Sequence, residues 1–255
     1  MTNTTSEHYR ATILIVGAGQ LGSRYLQGLA ECANCLDIYV NDISERALRV
    51  AKQRWEQVNK PEDLSTVLQG INNTLQNKVT FLSSNEKIPK QVNIAIIATN
   101  ADVRSQVVKQ IATNCEVHYW ILEKVLTQSE KALDEILTMT KKSSGVWTNI
   151  PRRMMVWHQQ IYNQLRYERP LKITGKGSLW GLACNGIHYL DLVSWWTGEK
   201  LIKIDTSKLD PQWIESKRKG FFEITGEITA IFSNLFSVEF GTMEWITGQV
   251  STRSP

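Results

Sequence analysis

One stretch constrains the possible folds of this chain more than any other: Thr12-Ile-Leu-Ile-Val-Gly-Ala-Gly-Gln-Leu-Gly22. Ile13 to Val16 form an apolar run that predicts a short buried strand, and the amphipathic run from Leu21 to Ala30 predicts a helix directly after it. Between them Gly17, Gly19 and Gly22 fill the three slots of G-x-G-x-x-G. The first glycine allows a tight turn, the second a close backbone approach to a pyrophosphate, and the third close packing of helix on strand. The N–H groups that open the helix, around Gln20 and Leu21, suit an anion. A second strand, Leu36 to Asp42, ends in an acid twenty residues past Gly22. That is where a dinucleotide site places a carboxylate on the adenosine ribose. Glycines in this pattern also mark ordinary turns; the strand, helix and acid around them point to dinucleotide binding. Asp42 favours NAD over NADP, because a carboxylate accepts from a free ribose diol and repels a 2′-phosphate. Arg46, close in sequence, complicates that preference.

The pattern then repeats. Ser44 caps a helix running towards Trp55, and Pro61 opens another that reaches about Leu68. Lys78 to Ser83 predicts a third strand. Val92 to Ala98 is a continuous apolar run rich in β-branched residues, as in a strand buried on both faces. Thr99 and Asn100 follow its carboxyl end, where open α/β sheets bind ligands. A helix from Asp102 to about Ala112, a strand at Tyr119–Leu122, a helix from Ser129 to Met139 and a strand at Gly145–Asn149 complete the series. Glu123 and Lys124 lie at the carboxyl end of the fifth strand. Such alternation requires an α/β architecture: a doubly wound parallel sheet of Rossmann type over residues 1–150.

Near Pro151 the pattern changes. A helix is predicted from Met154 to Arg166, a strand at Leu171–Thr174 and a helix from Gly186 to Trp196, which Gly198 stops. Strand-like segments follow at Leu201–Ile204, Gly220–Thr225, Glu227–Phe232 and Leu235–Phe240, separated by turn residues. They predict a second, smaller α+β domain over residues 151–255.

Composition excludes several classes. A formal charge of +4 over 255 residues is too small to imply nucleic acid. No signal-peptide core opens the chain and no apolar run approaches a membrane span, so no membrane partner is expected. Cys32 and Cys35 form a C-x-x-C without the second pair a zinc site needs, and no His, Cys and carboxylate cluster has metal spacing. No metal is expected, and a reducing cytoplasm fits.

Three segments together resemble the Gfo/Idh/MocA family of oxidoreductases (the glucose–fructose oxidoreductase and inositol dehydrogenase group). Val16 to Leu29 resembles the family's opening, Glu123-Lys124 its glutamate–lysine pair, and Asn185-Gly-Ile-His188-Tyr-Leu-Asp191-Leu its G-x-H-x-x-D helix start. Asp42 with Arg46-Ala47 is similar to its second strand and helix. The resemblance covers about residues 12–198. It implies a Rossmann domain, a second domain on an open, mainly antiparallel sheet, and hydride transfer between a nicotinamide and a carbohydrate-like alcohol or ketone. Three departures stand out. Val125 replaces the proline that usually follows the lysine. Cys184 replaces an aspartate that many members carry four residues before the histidine. The segment after Gly198 is shorter than the family's.

Lys124 is the leading catalytic candidate, since an ammonium at the end of a central strand can stabilise alkoxide character. The alternative is a surface lysine paired with Glu123. His188 is of a residue type suited to removal of an alcohol proton; the sequence alone slightly favours a hydrogen-bonded core histidine, and the resemblance selects the catalytic role. Asp191 either orients that imidazole, contacts substrate or serves the first helical turn. Arg152 and Arg153 suit carboxylate or phosphate recognition, or an interdomain salt bridge. Asn149 and Trp180 are weaker candidates for the substrate cleft, and each fits a structural role at least as well. Cofactor contacts are assigned to Gly17, Gly19, Gln20, Leu21, Gly22, Asp42, Thr99, Asn100, Glu123 and Lys124. The expected protein is an NAD-dependent oxidoreductase acting on a sugar, sugar derivative or cyclitol, as a homodimer or homotetramer. The alternative is a dinucleotide-binding sensor whose catalytic apparatus has decayed.

Overall fold

The structure, a computed structural model, describes residues 10–32, 35–58, 77–165, 173–177, 181–216, 219–233 and 236–242. The helix expected from Pro61 to Leu68 lies outside them, as do Trp180 and Leu235. The chain divides into two compact units, Met1–Asn149 and Ile150–Pro255.

In the first unit, strands β1 (Ala11–Val16), β2 (Leu36–Asn41), β3 (Lys78–Leu82), β4 (Gln91–Ile97), β5 (Glu116–Glu123) and β6 (Gly145–Asn149) form one sheet. Their order is β3-β2-β1-β4-β5-β6 and every pairing is parallel. Parallel strands need crossovers on both faces, and the buried residues show both covered. Ile13, Ile15, Ile38 and Val40 pack with Leu26 of helix α1 (Gln20–Ala30) and with Leu48, Ala51 and Trp55 of α2 (Glu45–Val58). Leu14, Val16, Ile97, Trp120 and Leu122 pack with Val108 and Ile111 of α3 (Ala101–Asn114) and Ile136 of α4 (Glu130–Thr140). Alternate residues of β1 therefore enter opposite cores, which explains its unbroken apolar run. The strand order reverses between β1 and β4, so the loops after those two strands flank the crevice where such sheets bind ligands. β5 begins three residues before the expected Tyr119. Exposed Glu116 pairs in register with Gln91, and hydrophobicity does not mark that end.

The second unit contains α5 (Val156–Leu165), β7 (Ile173–Gly177), α6 (Leu182–Thr197), β8 (Leu201–Leu209), β9 (Ile214–Glu215), β10 (Phe222–Glu223), β11 (Gly226–Phe232) and β12 (Phe236–Thr242). Its sheet runs β7-β12-β11-β8, antiparallel except for β7 with β12. Leu182, Leu190 and Val193 of α6 pack on Ile228, Ala230 and Phe232 of β11, and so bury one face of that strand. Two expectations change. The strand expected over Gly220–Thr225 shrinks to β10, because it pairs with only the two residues of β9. The helix expected from Gly186 starts one turn earlier at Leu182 and places His188 in its second turn rather than at its head. Glu223 accounts for the extra turn: its Oε2 accepts from the N–H of Ala183 at 3.0 Å and of Cys184 at 3.4 Å. Those are two of the donors that every helix start leaves unpaired.

Candidate active site

Each glycine of the turn meets a different constraint. Gly17 has φ +97°, and a Cβ there would lie 3.0 Å from the carbonyl carbon of Ala98. A Cβ on Gly22 would overlap the Gly17 carbonyl oxygen. A Cβ on Gly19 would meet no heavy atom within 4 Å, and its φ of −65° suits any residue. Among the described residues nothing requires glycine at position 19. Open space there fits a bound pyrophosphate, which a side chain would displace. Gln20 and Leu21 open α1 beside this space and are exposed.

Asp42 lies just past β2. Its Oδ2 accepts from the N–H of Ala18 at 2.6 Å and its Oδ1 from that of Ser44 at 2.7 Å. The carboxylate thus ties the glycine turn to the start of α2. A pocket beside it is lined by Ala18, Gly19, Gln20, Ser44, Arg46, Ala47, Val50 and Arg54. Arg54, which the sequence reading did not single out, donates to Ser23 Oγ and, at 2.7 Å, to Gln20 Oε1. Its signal was present: on a helix begun at Ser44, Arg46, Val50 and Arg54 fall on one face at a spacing of four. Across the crevice, Thr99 is half-buried and exposed Asn100 occupies the N-cap position of α3.

At the end of β5 the side chains divide. Glu123 is buried, and its Oε1 accepts from the Tyr25 hydroxyl and, at 2.6 Å, from Asn149 Nδ2. Asn149, assigned to substrate, is therefore engaged inside the first unit, and Glu123, assigned to the cofactor, is turned inward. Burial, then the adjacent Glu123, pushes the Tyr25 phenol above its usual range. Lys124, next in sequence, is half-buried, and the Lys124–Val125 peptide is cis. Arg104 of α3 was missed by the sequence reading. It is 2% exposed and donates to the carbonyls of Thr99, Val125 and, at 2.9 Å, Leu126. Burial lowers its pKa to about 10 against the opposing pull of Glu123. The sequence shows only an arginine in the first turn of a helix, which does not mark it as buried.

In the second unit His188 is buried on α6, one turn before half-buried Asp191. Both Asp191 oxygens accept from Arg153, with Nε at 2.7 Å from Oδ2. This salt bridge lies within one unit rather than between domains, and the Arg153 side chain remains partly exposed. The Arg152 guanidinium lies 4.7 Å over the Tyr189 ring. Exposed Cys184 occupies the first turn of α6. Among the described residues no group of His, Cys and carboxylates is arranged to hold a metal, and no helix is long and apolar enough to cross a membrane.

The sheet order and the second sheet together are the architecture of two-domain NAD-binding dehydrogenases. Solved structures with this fold include inositol dehydrogenases and an NAD-binding protein. A myo-inositol dehydrogenase from Lactobacillus casei, solved with NAD(H) and myo-inositol, matches at TM-score 0.65 and 12% identity over 92% of this chain and 67% of its own. An NAD-binding protein from Listeria innocua matches at TM-score 0.65 and 18% identity over 94% and 69%. The WlbA dehydrogenase from Chromobacterium violaceum, solved with NADH and UDP-GlcNAcA, matches at TM-score 0.63 and 14% identity over 93% and 68%. The chain thus spans about two thirds of the length of these proteins. At these identities the likeness is one of fold. No family model matches the sequence, and no curated protein matches it.

Proposed function

We propose that this protein is an oxidoreductase that transfers a hydride between NAD(H) and a hydroxyl or keto group of a sugar, sugar derivative or cyclitol. The observation that carries the reading is the open space over Gly19 in an otherwise filled glycine turn at the point of strand reversal. A dinucleotide fits there with its pyrophosphate on the first turn of α1 and its adenosine ribose beside Asp42. Asp42 supports NAD over NADP. Held by two backbone N–H groups, its charge stays at the ribose, accepts from a free diol and opposes a 2′-phosphate, with Arg46 as the counterweight.

When bound, the nicotinamide supplies the hydride acceptor or donor. The protein supplies the rest. In alcohol oxidation His188 takes the hydroxyl proton, and the Lys124 ammonium donates to the oxygen as negative charge develops. Lys124→Ala should lower turnover by roughly a hundredfold or more, and His188→Ala by about a hundredfold. The histidine loss should shrink at high pH, where solvent takes the proton. Both variants should bind NADH as the parent does, whereas Asp42→Ala should bind it more weakly.

The test combines NADH and NADPH fluorescence titrations with turnover on a panel of polyols and keto sugars that includes myo-inositol. NADH should bind more tightly, and at least one panel member should turn over. Parental turnover in both variants removes Lys124 and His188 from the chemistry. Cys184, exposed where the resemblance leads one to expect an aspartate, motivates the second reading, a dinucleotide-binding sensor, and NADH binding without turnover would select it. Failure to bind either dinucleotide overturns both.

A further inference from the structure

Lys124 sits between two anchors built from residues outside the chemistry. On its amino side, the buried Glu123 carboxylate is held by Tyr25 of α1 and Asn149 of β6. On its carboxyl side, the carbonyls of Val125 and Leu126 accept from Arg104. The same guanidinium also takes the carbonyl of Thr99, in the loop after β4. One side chain thereby joins the loops that follow β4 and β5, the two neighbouring strands that border the site.

A guanidinium is a costly choice for satisfying carbonyls. Its Nε is buried with no hydrogen-bond partner among the described residues, and removing a full charge from water is expensive even when the charge is paired. A lysine amine would be a compact point donor, without two terminal nitrogens fixed in one plane. Arg104 holds three carbonyls on two loops because its fork is rigid, which fixes the spacing between those loops. The buried Glu123 anion opposes the effect of burial on Arg104 and joins the two anchors electrostatically.

We propose that Arg104 is the positioning residue for Lys124, and that Glu123 with Tyr25 and Asn149 completes the mount on the other flank. Arg104 touches neither substrate nor cofactor in this account. It sets where the Lys124 ammonium stands relative to the loop at Thr99. The catalytic consequence rests on the oxidoreductase reading above, while the positioning does not.

The experiment compares the parent with Arg104→Lys, Arg104→Met and Tyr25→Phe in the full chain. Tyr25→Phe removes one hydroxyl from the opposite flank and serves if the arginine variants fail to fold. Three quantities are read: the NADH dissociation constant, kcat on whichever polyol or keto sugar the parent turns over, and the rate of Lys124 reductive methylation. The methylation rate is measured by peptide mass spectrometry against exposed Lys87 and Lys141. Misplacing a catalytic group by about an ångström costs roughly a hundredfold. The arginine variants should therefore lose on the order of ten- to a hundredfold in kcat, and Tyr25→Phe severalfold, with NADH affinity within about threefold of the parent. Lys124 methylation should move towards the rate of the reference lysines by about threefold or more, as its segment loosens. Parental kcat and parental Lys124 methylation in every folded variant overturn the proposal. Equal loss of NADH affinity and kcat also overturns it, since that pattern marks general damage to the site. If the parent turns over no polyol or keto sugar, the oxidoreductase reading fails, and the methylation rates alone decide the positioning.

Discussion

Gly19 and Gly22 look equivalent in the sequence motif and are not equivalent in the structure. Gly22 has no room for a methyl group because the Gly17 carbonyl occupies the space, whereas Gly19 faces open space at an ordinary φ. Gly19→Ala should therefore keep the parental melting temperature and lose roughly tenfold or more in NADH affinity, while Gly22→Ala should lose stability itself. A Gly19→Ala protein that binds NADH as tightly as the parent would contradict the assignment of the pyrophosphate to that space. His158 makes a different residue-scale claim. It is 2% exposed, and neither ring nitrogen has a hydrogen-bond partner among the described residues. Its ring lies 3.4 Å from the Trp157 ring centroid and 5.3 Å from that of Trp196. Burial, and secondarily Arg152, lower its pKa. Unfolded histidine titrates near ~6.5, so on acidification the unfolded chain takes the proton first. Stability contributed by neutral His158 is then full above that value and declines as pH falls below it. His158→Phe keeps the ring and removes the titration. The parent's melting temperature should drop relative to the variant's as pH is lowered through that range, and a constant difference across the titration would refute this origin.

At the scale of elements, helix α6 shows how far local sequence carries. Its end was legible, because Gly198 adopts φ +71° after the last apolar turn. Its start was not, because the group that satisfies its first N–H groups is Glu223, forty residues away in β10. A carboxylate there both accepts hydrogen bonds and faces the positive end of the helix dipole. Glu223→Ala should destabilise the second unit by about 1 kcal/mol, and Glu223→Gln by less, since the amide oxygen still accepts. Urea unfolding followed by Trp fluorescence measures both, and equal losses would show that packing, not capping, is at stake. The first unit was legible almost element by element, because strands buried on both faces and glycine turns are local signals. The candidate site was legible in part, for the same reason. Positions at strand ends, such as Asp42, Thr99 and Lys124, follow from counting along the chain. The partners that hold them do not, since Tyr25, Arg104 and Asn149 converge on the end of β5 only once α1, α3 and β6 are packed. From position alone Glu123 and Asn149 read as ligand contacts, and only the fold shows that Asn149 also donates to Glu123. Arg153 and Asp191 give the same lesson in the second unit.

At the scale of the whole molecule, the second unit carries the question of assembly. Helix α6 covers the face of β11 that bears Ile228, Ala230 and Phe232. Strand β8, at the edge of that sheet among the described strands, is exposed from Leu201 to Lys208. Ile202 is 67% exposed, and Trp213 and Phe222 of the neighbouring hairpin are 69% and 57% exposed. A long edge strand with apolar side chains presents unpaired backbone groups and apolar surface together, which favours pairing with a second chain. Lys203 and Lys208 on the same strand oppose indiscriminate association, since edge lysines deter strand pairing that does not match their charges. A defined homo-oligomer formed through the second unit is therefore expected rather than open-ended aggregation. Sedimentation velocity at low micromolar concentration should give a species of at least roughly twice the 29.1 kDa chain mass. Ile202→Lys should shift it towards the monomer with NADH affinity unchanged, because the proposed dinucleotide contacts lie in the first unit. A parent that sediments as a single 29.1 kDa species would leave the exposed strand unexplained by self-association and overturn the expectation.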